Sequence, residues 1–339
     1  MSGQLPSRSR FGGLQSATGQ GVTITGAPII VLGVRRSGTT LLRVMLDRNP
    51  ELAIPDESYF VPLLARRHPG VVDPVAFADD LGRLPTLVEW KLSPAAVARR
   101  LSPGLTTGDA IAAVFAAYAA ERGKARWGDK TPLYMQHLPL LERLFPKARF
   151  VHLVRDGREA AVSYLAVPRG IMSEGWGHPR DAAGFACQWA SEVRSARELG
   201  RRVGPERYLE VRYERLVAAP EAVLREICTF GGLGYDATML GYVGQTESAS
   251  KVHQQRLNEA PRVGVRDWRT EMSQADRREF ESIAGSLLTE LGYETETGGH
   301  DRRRLAVYRA KTAAWRGVGA LMQRSPLWRR RHRIVTTGV

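Results

Sequence analysis

Pro28-Ile29-Ile30-Val31-Leu32-Gly33-Val34 runs straight into Arg35-Arg36-Ser37-Gly38-Thr39-Thr40, and this junction decides the fold. An unalternating apolar run of this length fits a strand buried on both faces, as in a parallel sheet. After the turn a helical pattern runs from Thr39 to about Arg48 and is closed by Asn49-Pro50. The two glycines, Gly33 and Gly38, let the backbone wrap closely around an anion. The helix behind them supplies free N–H groups and the positive end of its dipole. In nucleoside-triphosphate enzymes the residue after the second glycine is a lysine that reaches the β and γ phosphates. Here it is Thr39, so the loop suits a single 5' phosphate, with Arg36 supplying charge from the other side.

The same strand-turn-helix arrangement recurs further along. Arg149-Phe150-Val151-His152-Leu153-Val154 reads as a second strand, followed by Arg155-Asp156-Gly157 and a helix through Tyr164. Tyr208 to Tyr213 reads as a third strand, after which Pro220 opens another helix. Strands alternating with helices of this length predict an α/β fold around a central parallel sheet. Residues 60 to 125 look mainly helical and Ala-rich, an insertion between the first two strands. Residues 166 to 182 carry Pro, Gly and Trp without period and read as a long loop, where acceptor pockets and lids tend to sit. This divides the chain into a flexible leader (1–26), a main domain (27–300) and a basic helical extension (301–339).

Charge separates these parts. The chain carries a net +14, but from Asp301 onward eleven Lys or Arg face a single acid, a net of +10, and Arg8 and Arg10 add +2. The body between is left with only +2, which argues against a nucleic-acid-binding domain. Cys187 and Cys228 form neither a disulfide framework nor a metal-ligand spacing and read as small core residues. No apolar run approaches the ~20 residues of a membrane span, and the N-terminus lacks the apolar stretch of a signal peptide. The simplest expectation is a cytoplasmic protein.

Arg155 stands at the C-terminal end of a predicted strand, where ligands bind in open parallel sheets, and Ser163 follows eight residues later on the helix. A guanidinium with a hydroxyl is a sensible clamp for a phosphate. Taken with the first loop, these residues resemble the sulfotransferases, in particular the tyrosylprotein and bacterial aryl or carbohydrate-type branch. The likeness is carried by Pro28 to Phe60, above all Gly33-Val34-Arg35-Arg36-Ser37-Gly38-Thr39-Thr40-Leu41-Leu42-Arg43-Val44-Met45-Leu46-Asp47, and extends to about residue 293. It implies a three-layer fold related to nucleotide kinases, with 3'-phosphoadenosine-5'-phosphosulfate as sulfuryl donor and no metal. Arg35, Arg36, Ser37, Gly38, Thr39 and Thr40 take the 5'-phosphosulfate side, and Arg155 and Ser163 the 3' phosphate. Tyr213, in Val211-Arg212-Tyr213-Glu214-Arg215-Leu216, takes the place beside the adenine. In Pro261-Arg262-Val263-Gly264-Val265-Arg266-Asp267-Trp268 the match is looser, and either Arg262 or Arg266 is the further 3'-phosphate contact.

The resemblance also assigns the chemistry. Glu57, in Ile54-Pro55-Asp56-Glu57-Ser58, falls where that branch carries its catalytic glutamate, and Lys130, in Trp127-Gly128-Asp129-Lys130-Thr131-Pro132, falls where a lysine stabilises the leaving phosphate. Asp56 is either a decoy or a like charge acting on Glu57. His152, between Val151 and Leu153, reads as a core residue, and His178 is a second candidate near the acceptor. The alternatives are a P-loop kinase of a small metabolite, disfavoured by Thr39, and a non-catalytic nucleotide-binding scaffold, disfavoured by Glu57 with Lys130. The acceptor is open: a phenol, a sugar hydroxyl, a lipid-linked headgroup or a peptide tyrosine. From Arg302 to Gln323, Leu305, Tyr308, Trp315, Val318 and Met322 share one helical face flanked by Arg302, Arg309 and Arg316, with Lys311 interrupting it. This is either a helix packed on the domain or a basic amphipathic element resting on anionic membrane.

Overall fold

The computed structural model describes residues 23–167, 179–243 and 266–296, together with Ala306, Val307 and Ala310. The leader up to residue 22, His178, Arg262 and nearly all of the basic extension lie outside the described residues. The leader's last residues reach the body, where the Thr25 amide donates to the Ala125 carbonyl (2.8 Å).

Five strands form one parallel sheet in the order β2-β3-β1-β4-β5, with β1 at Ile29–Leu32, β2 at Leu52–Ala53, β3 at Arg126–Lys130, β4 at Arg149–Val154 and β5 at Tyr208–Arg212. In β1 and β4 the side chains alternate between two apolar layers, which is why their sequences are apolar but for Arg149 and His152. Ile30, Leu32, Phe150 and Val154 face one layer, with the helices Thr107–Glu121, Gly157–Leu165, Ala182–Val203 and Gln274–Glu290. Ile29, Val31, Val151 and Leu153 face the other, with Thr39–Asp47, Tyr213–Ala218 and Pro220–Gly231. The result is the expected three-layer α/β sandwich.

Three elements depart from the sequence reading. β2 and β3 bracket the helical insertion, neither of them expected. β2 has only two residues, and β3 reads Arg-Trp-Gly-Asp-Lys, which no apolar pattern marks as a strand. Its buried charges are tolerated because each has a partner: Arg126, for example, donates to the carbonyls of Ala27, Gly231 and Gly232 (2.7–3.1 Å). The third departure is Tyr213, which opens the helix Tyr213–Ala218; β5 ends at Arg212.

Every candidate site residue on the strands leaves the sheet at one edge. β1 leads into the Gly33–Thr40 loop, β2 toward Glu57, β3 ends on Lys130, β4 leads into Arg155 and β5 into Tyr213.

Candidate active site

The loop after β1 is shaped by close approaches. A Cβ on Gly33 would lie 2.5 Å from Thr39 Cγ2 and 2.9 Å from the Leu153 carbonyl oxygen. Gly38 has φ +88°, and a Cβ there would sit 2.4 Å from the Tyr213 ring. Both positions therefore need glycine, one for space and one for backbone conformation as well. The helix Thr39–Asp47 starts at Gly38 with no side-chain cap, so its first amides open toward the hollow of the loop. Ser37 is 1% exposed, and its hydroxyl has no hydrogen-bond partner within the described structure. A buried hydroxyl without a partner is costly, and here it lines an anion-shaped cradle.

A second group closes the loop from β4. Arg36, at φ +70°, donates from Nε to Ser163 Oγ (3.1 Å). Arg155 donates to the Arg36 carbonyl (3.2 Å) and lies over the Tyr213 ring (4.4 Å to the centroid). Its remaining donors meet Glu159 (2.8 and 3.1 Å), a residue the sequence reading did not single out. Burial raises the Glu159 carboxyl and the Arg155 guanidinium opposes that rise. Arg36, Gly38, Arg155, Ser163 and Tyr213 are thus brought together around one space. Arg35 donates to the Tyr164 hydroxyl and its charge also acts on Tyr59. Arg266 pairs with Glu271.

On the other flank, Lys130 Nζ lies 2.5 Å from Glu57 Oε1 and 3.3 Å from Thr40 Oγ1. The lysine is 1% exposed. Burial pulls its pKa down, and the Glu57 carboxylate works against that pull. The neighbouring Asp56 pairs with Arg43 (3.1 Å). The second Glu57 oxygen, Oε2, accepts from the Tyr59 hydroxyl.

Behind this pair lies a buried polar cluster that the sequence did not announce. The Ser58 amide donates to Thr131 Oγ1 (3.0 Å), and Ser58 Oγ bonds to Asp129 Oδ1 (2.9 Å) and to the Tyr134 hydroxyl (2.7 Å). Asp129 Oδ2 is buried with no hydrogen-bond partner among the described residues. Burial pushes this carboxyl up to about 7, against the opposing pull of Ser58, Lys130 and Thr131. Ser58 and Asp129 directly adjoin Glu57 and Lys130, so these bonds hold the Glu57–Lys130 pair in register. His152 is a core residue, as expected, with Nδ1 2.7 Å from the Tyr208 hydroxyl.

The arrangement sets a carboxylate and a buried ammonium beside the loop after β1, and known proteins resemble the chain that carries it. The sulfotransferase domain of the Synechococcus PCC 7002 olefin synthase superposes with a TM-score of 0.55 at 25% identity, over 83% of this chain and 99% of that domain. Nodulation protein NoeE of Sinorhizobium fredii is 29% identical over 309 residues, covering 80% of this chain and 67% of NoeE. Protein-tyrosine sulfotransferase A of Caenorhabditis elegans is 28% identical over 241 residues, covering 68% of this chain but only 57% of the nematode protein. A sulfotransferase family profile matches residues 28–237. That span is more than half of the chain and contains the cradle, the Glu57–Lys130 pair, Arg155, Ser163 and Tyr213: the chain belongs to the sulfotransferase family.

Proposed function

We propose that the protein transfers a sulfuryl group from 3'-phosphoadenosine-5'-phosphosulfate to an acceptor hydroxyl, with Glu57 as general base. The observation that carries this reading is the Glu57–Lys130 pair held at the rim of the phosphate loop, with Lys130 also bonded to Thr40. The residues present fit the donor. Ser37 offers a buried hydroxyl without a partner, the uncapped helix start offers amides, and glycine at position 38 leaves room for close backbone approach. Ser37, Gly38, Thr39 and Thr40 would hold its 5' end, Arg155 and Ser163 its 3' phosphate, and Tyr213 would flank the base. When bound, the donor supplies an activated sulfuryl group.

The protein's own part is to orient and to manage charge and protons. Glu57 takes the proton of the acceptor hydroxyl as the oxygen becomes nucleophilic. Lys130, buried against Glu57 at the rim of the loop, meets the negative charge that grows on the leaving phosphate. With threonine at position 39, the loop lacks the lysine that serves a triphosphate, which disfavours a kinase.

Two measurements test the proposal. Adenosine 3',5'-bisphosphate should bind in calorimetry without magnesium and far more tightly than ATP; tight magnesium-dependent ATP binding instead would revive the kinase. Glu57→Gln keeps the shape but cannot accept a proton, so turnover should fall by about 10²–10⁴ with little change in bisphosphate affinity. Full activity in that variant would move the base elsewhere. The acceptor would be found by incubating a metabolite extract with donor labelled in the sulfate and identifying the labelled product. Two of the relatives' features frame that screen: one is named for protein tyrosine, and each is longer than the stretch matched here.

A further inference from the structure

Glu57 presents two oxygens, and both have partners before any acceptor arrives. Oε1 faces Lys130, and Oε2 accepts from the Tyr59 hydroxyl. A base must have a lone pair ready for the incoming proton, and a hydroxyl on Oε2 takes one that the acceptor's hydroxyl would use.

The fold puts the tyrosine there deliberately. Tyr59 has φ +53°, in the left-handed region that a non-glycine residue rarely adopts. Such a conformation persists only where the surroundings over-determine it. On one side Ser58, fully buried, is fixed through its amide and hydroxyl to Thr131, Asp129 and Tyr134. On the other, Phe60 packs its ring against Trp90 and Phe115 (5.6 and 5.5 Å between centroids), and its amide donates back to the Ser58 carbonyl (2.6 Å). With both neighbours anchored, the backbone holds the phenol over the carboxylate. The charged groups that act on the phenol are Glu57, Arg35 and Glu89, and burial together with Glu57 holds it protonated, so it remains a donor.

We propose that Tyr59 is a cap on the base: its hydroxyl occupies Glu57 Oε2 until an acceptor hydroxyl displaces it, and so restrains transfer of the sulfuryl group to water. This rests on Glu57 being the base. The side reaction it suppresses is balanced as follows. The bond from sulfur to the bridging phosphate oxygen breaks, a bond from sulfur to a water oxygen forms, and Glu57 receives the water's proton. Inorganic sulfate and adenosine 3',5'-bisphosphate leave. A water molecule serves this way by bonding to Glu57, and the phenol holds one of the places on Oε2 where it would do so.

The test uses the full chain and needs no acceptor. Sulfate-labelled donor is incubated with wild type, Tyr59→Phe and the double variant Tyr59→Phe/Glu57→Gln, and released inorganic sulfate is counted. Bisphosphate affinity is measured in parallel by calorimetry. Removing one hydroxyl from a ring that keeps its packing should raise acceptor-independent sulfate release about tenfold, the effect of freeing one hydrogen-bonded oxygen worth about 1.4 kcal/mol. The bisphosphate affinity should stay constant, and the increase should vanish in the double variant, which shows that it runs through Glu57. Unchanged or lower sulfate release at constant affinity overturns the cap and leaves the proposed function standing. An increase that persists in the double variant also overturns it. If the wild type binds no bisphosphate, the cap and the proposed function fall together.

Discussion

Asp129 offers a test of the buried cluster that does not depend on catalysis. Burial raises its carboxyl from 3.8 to about 7, and at about 1.4 kcal/mol per pH unit that separation is worth about 4 kcal/mol. The sign follows from proton binding. Between these two values the folded chain keeps a proton that the unfolded chain gives up. Stability from this group is therefore present at low pH, falls as pH rises through the window, and is flat above about 7. Asp129→Asn has nothing to titrate at that position, and Lys130, Glu57 and the rest of the chain are common to both proteins. The difference between variant and wild type should therefore change by about 4 kcal/mol between about pH 4 and pH 8, in favour of the variant. Asparagine adds N–H groups beside the place of the unpartnered Oδ2, at a cost of about 1–3 kcal/mol. The variant should accordingly be the less stable protein near about pH 4.5 and the more stable near about pH 8, with the curves crossing between. Urea unfolding across that range, at matched ionic strength, reads the difference directly. Parallel curves would refute the argument, because they would mean that Asp129 is ionised in the folded protein throughout.

Three further predictions follow from the same geometry. Arg155→Ala strands the 3' phosphate without its charged partner and should weaken adenosine 3',5'-bisphosphate binding by about 1.5–3 kcal/mol in calorimetry. Arg158→Met should lower unfolding free energy by about 3–5 kcal/mol, because it leaves buried Asp156 and Glu281 (2.7 and 2.6 Å away) without their cation; denaturant titration checks it. A chain cut after Asp301 should retain its fold and bisphosphate binding, since the described core closes at Leu291 and Tyr293. If the full chain pellets with anionic vesicles at low salt and the cut chain does not, the basic segment belongs to a membrane surface; if the cut chain unfolds, it belongs to the body.

How much was legible in the sequence depended on the strand beneath each residue. β1 and β4 are buried on both faces and consequently mostly apolar, so their ends, and the turns just past them, could be located from pattern alone. The Gly33–Thr40 loop and Arg155 stand at those ends, and Ser163 joined Arg155 through the family resemblance. β2 is too short to show a period, and β3 carries Arg126, Asp129 and Lys130, whose burial is made tolerable by partners far away in the chain. Lys130 meets Glu57 across 73 residues, a pairing no local pattern encodes, and so these two were assigned by resemblance rather than by reading. Tyr59 was silent for a different reason: left-handed backbone is signalled in sequence by glycine, and here a tyrosine is held in it by its neighbours. Asp129 stood in plain view beside Lys130, but nothing in Trp-Gly-Asp-Lys distinguishes a buried, proton-retaining carboxyl from a solvated one. Burial there is decided by Ser58, Thr131 and Tyr134 folding over it. The half of this site proposed to hold phosphate follows from backbone and apolar pattern, whereas the half proposed to handle the proton is made by tertiary contacts between segments that look ordinary on their own. Differences in acceptor and in restraint toward water are therefore to be sought in the segment that follows β2, where Tyr59 sits, and not in the loop after β1.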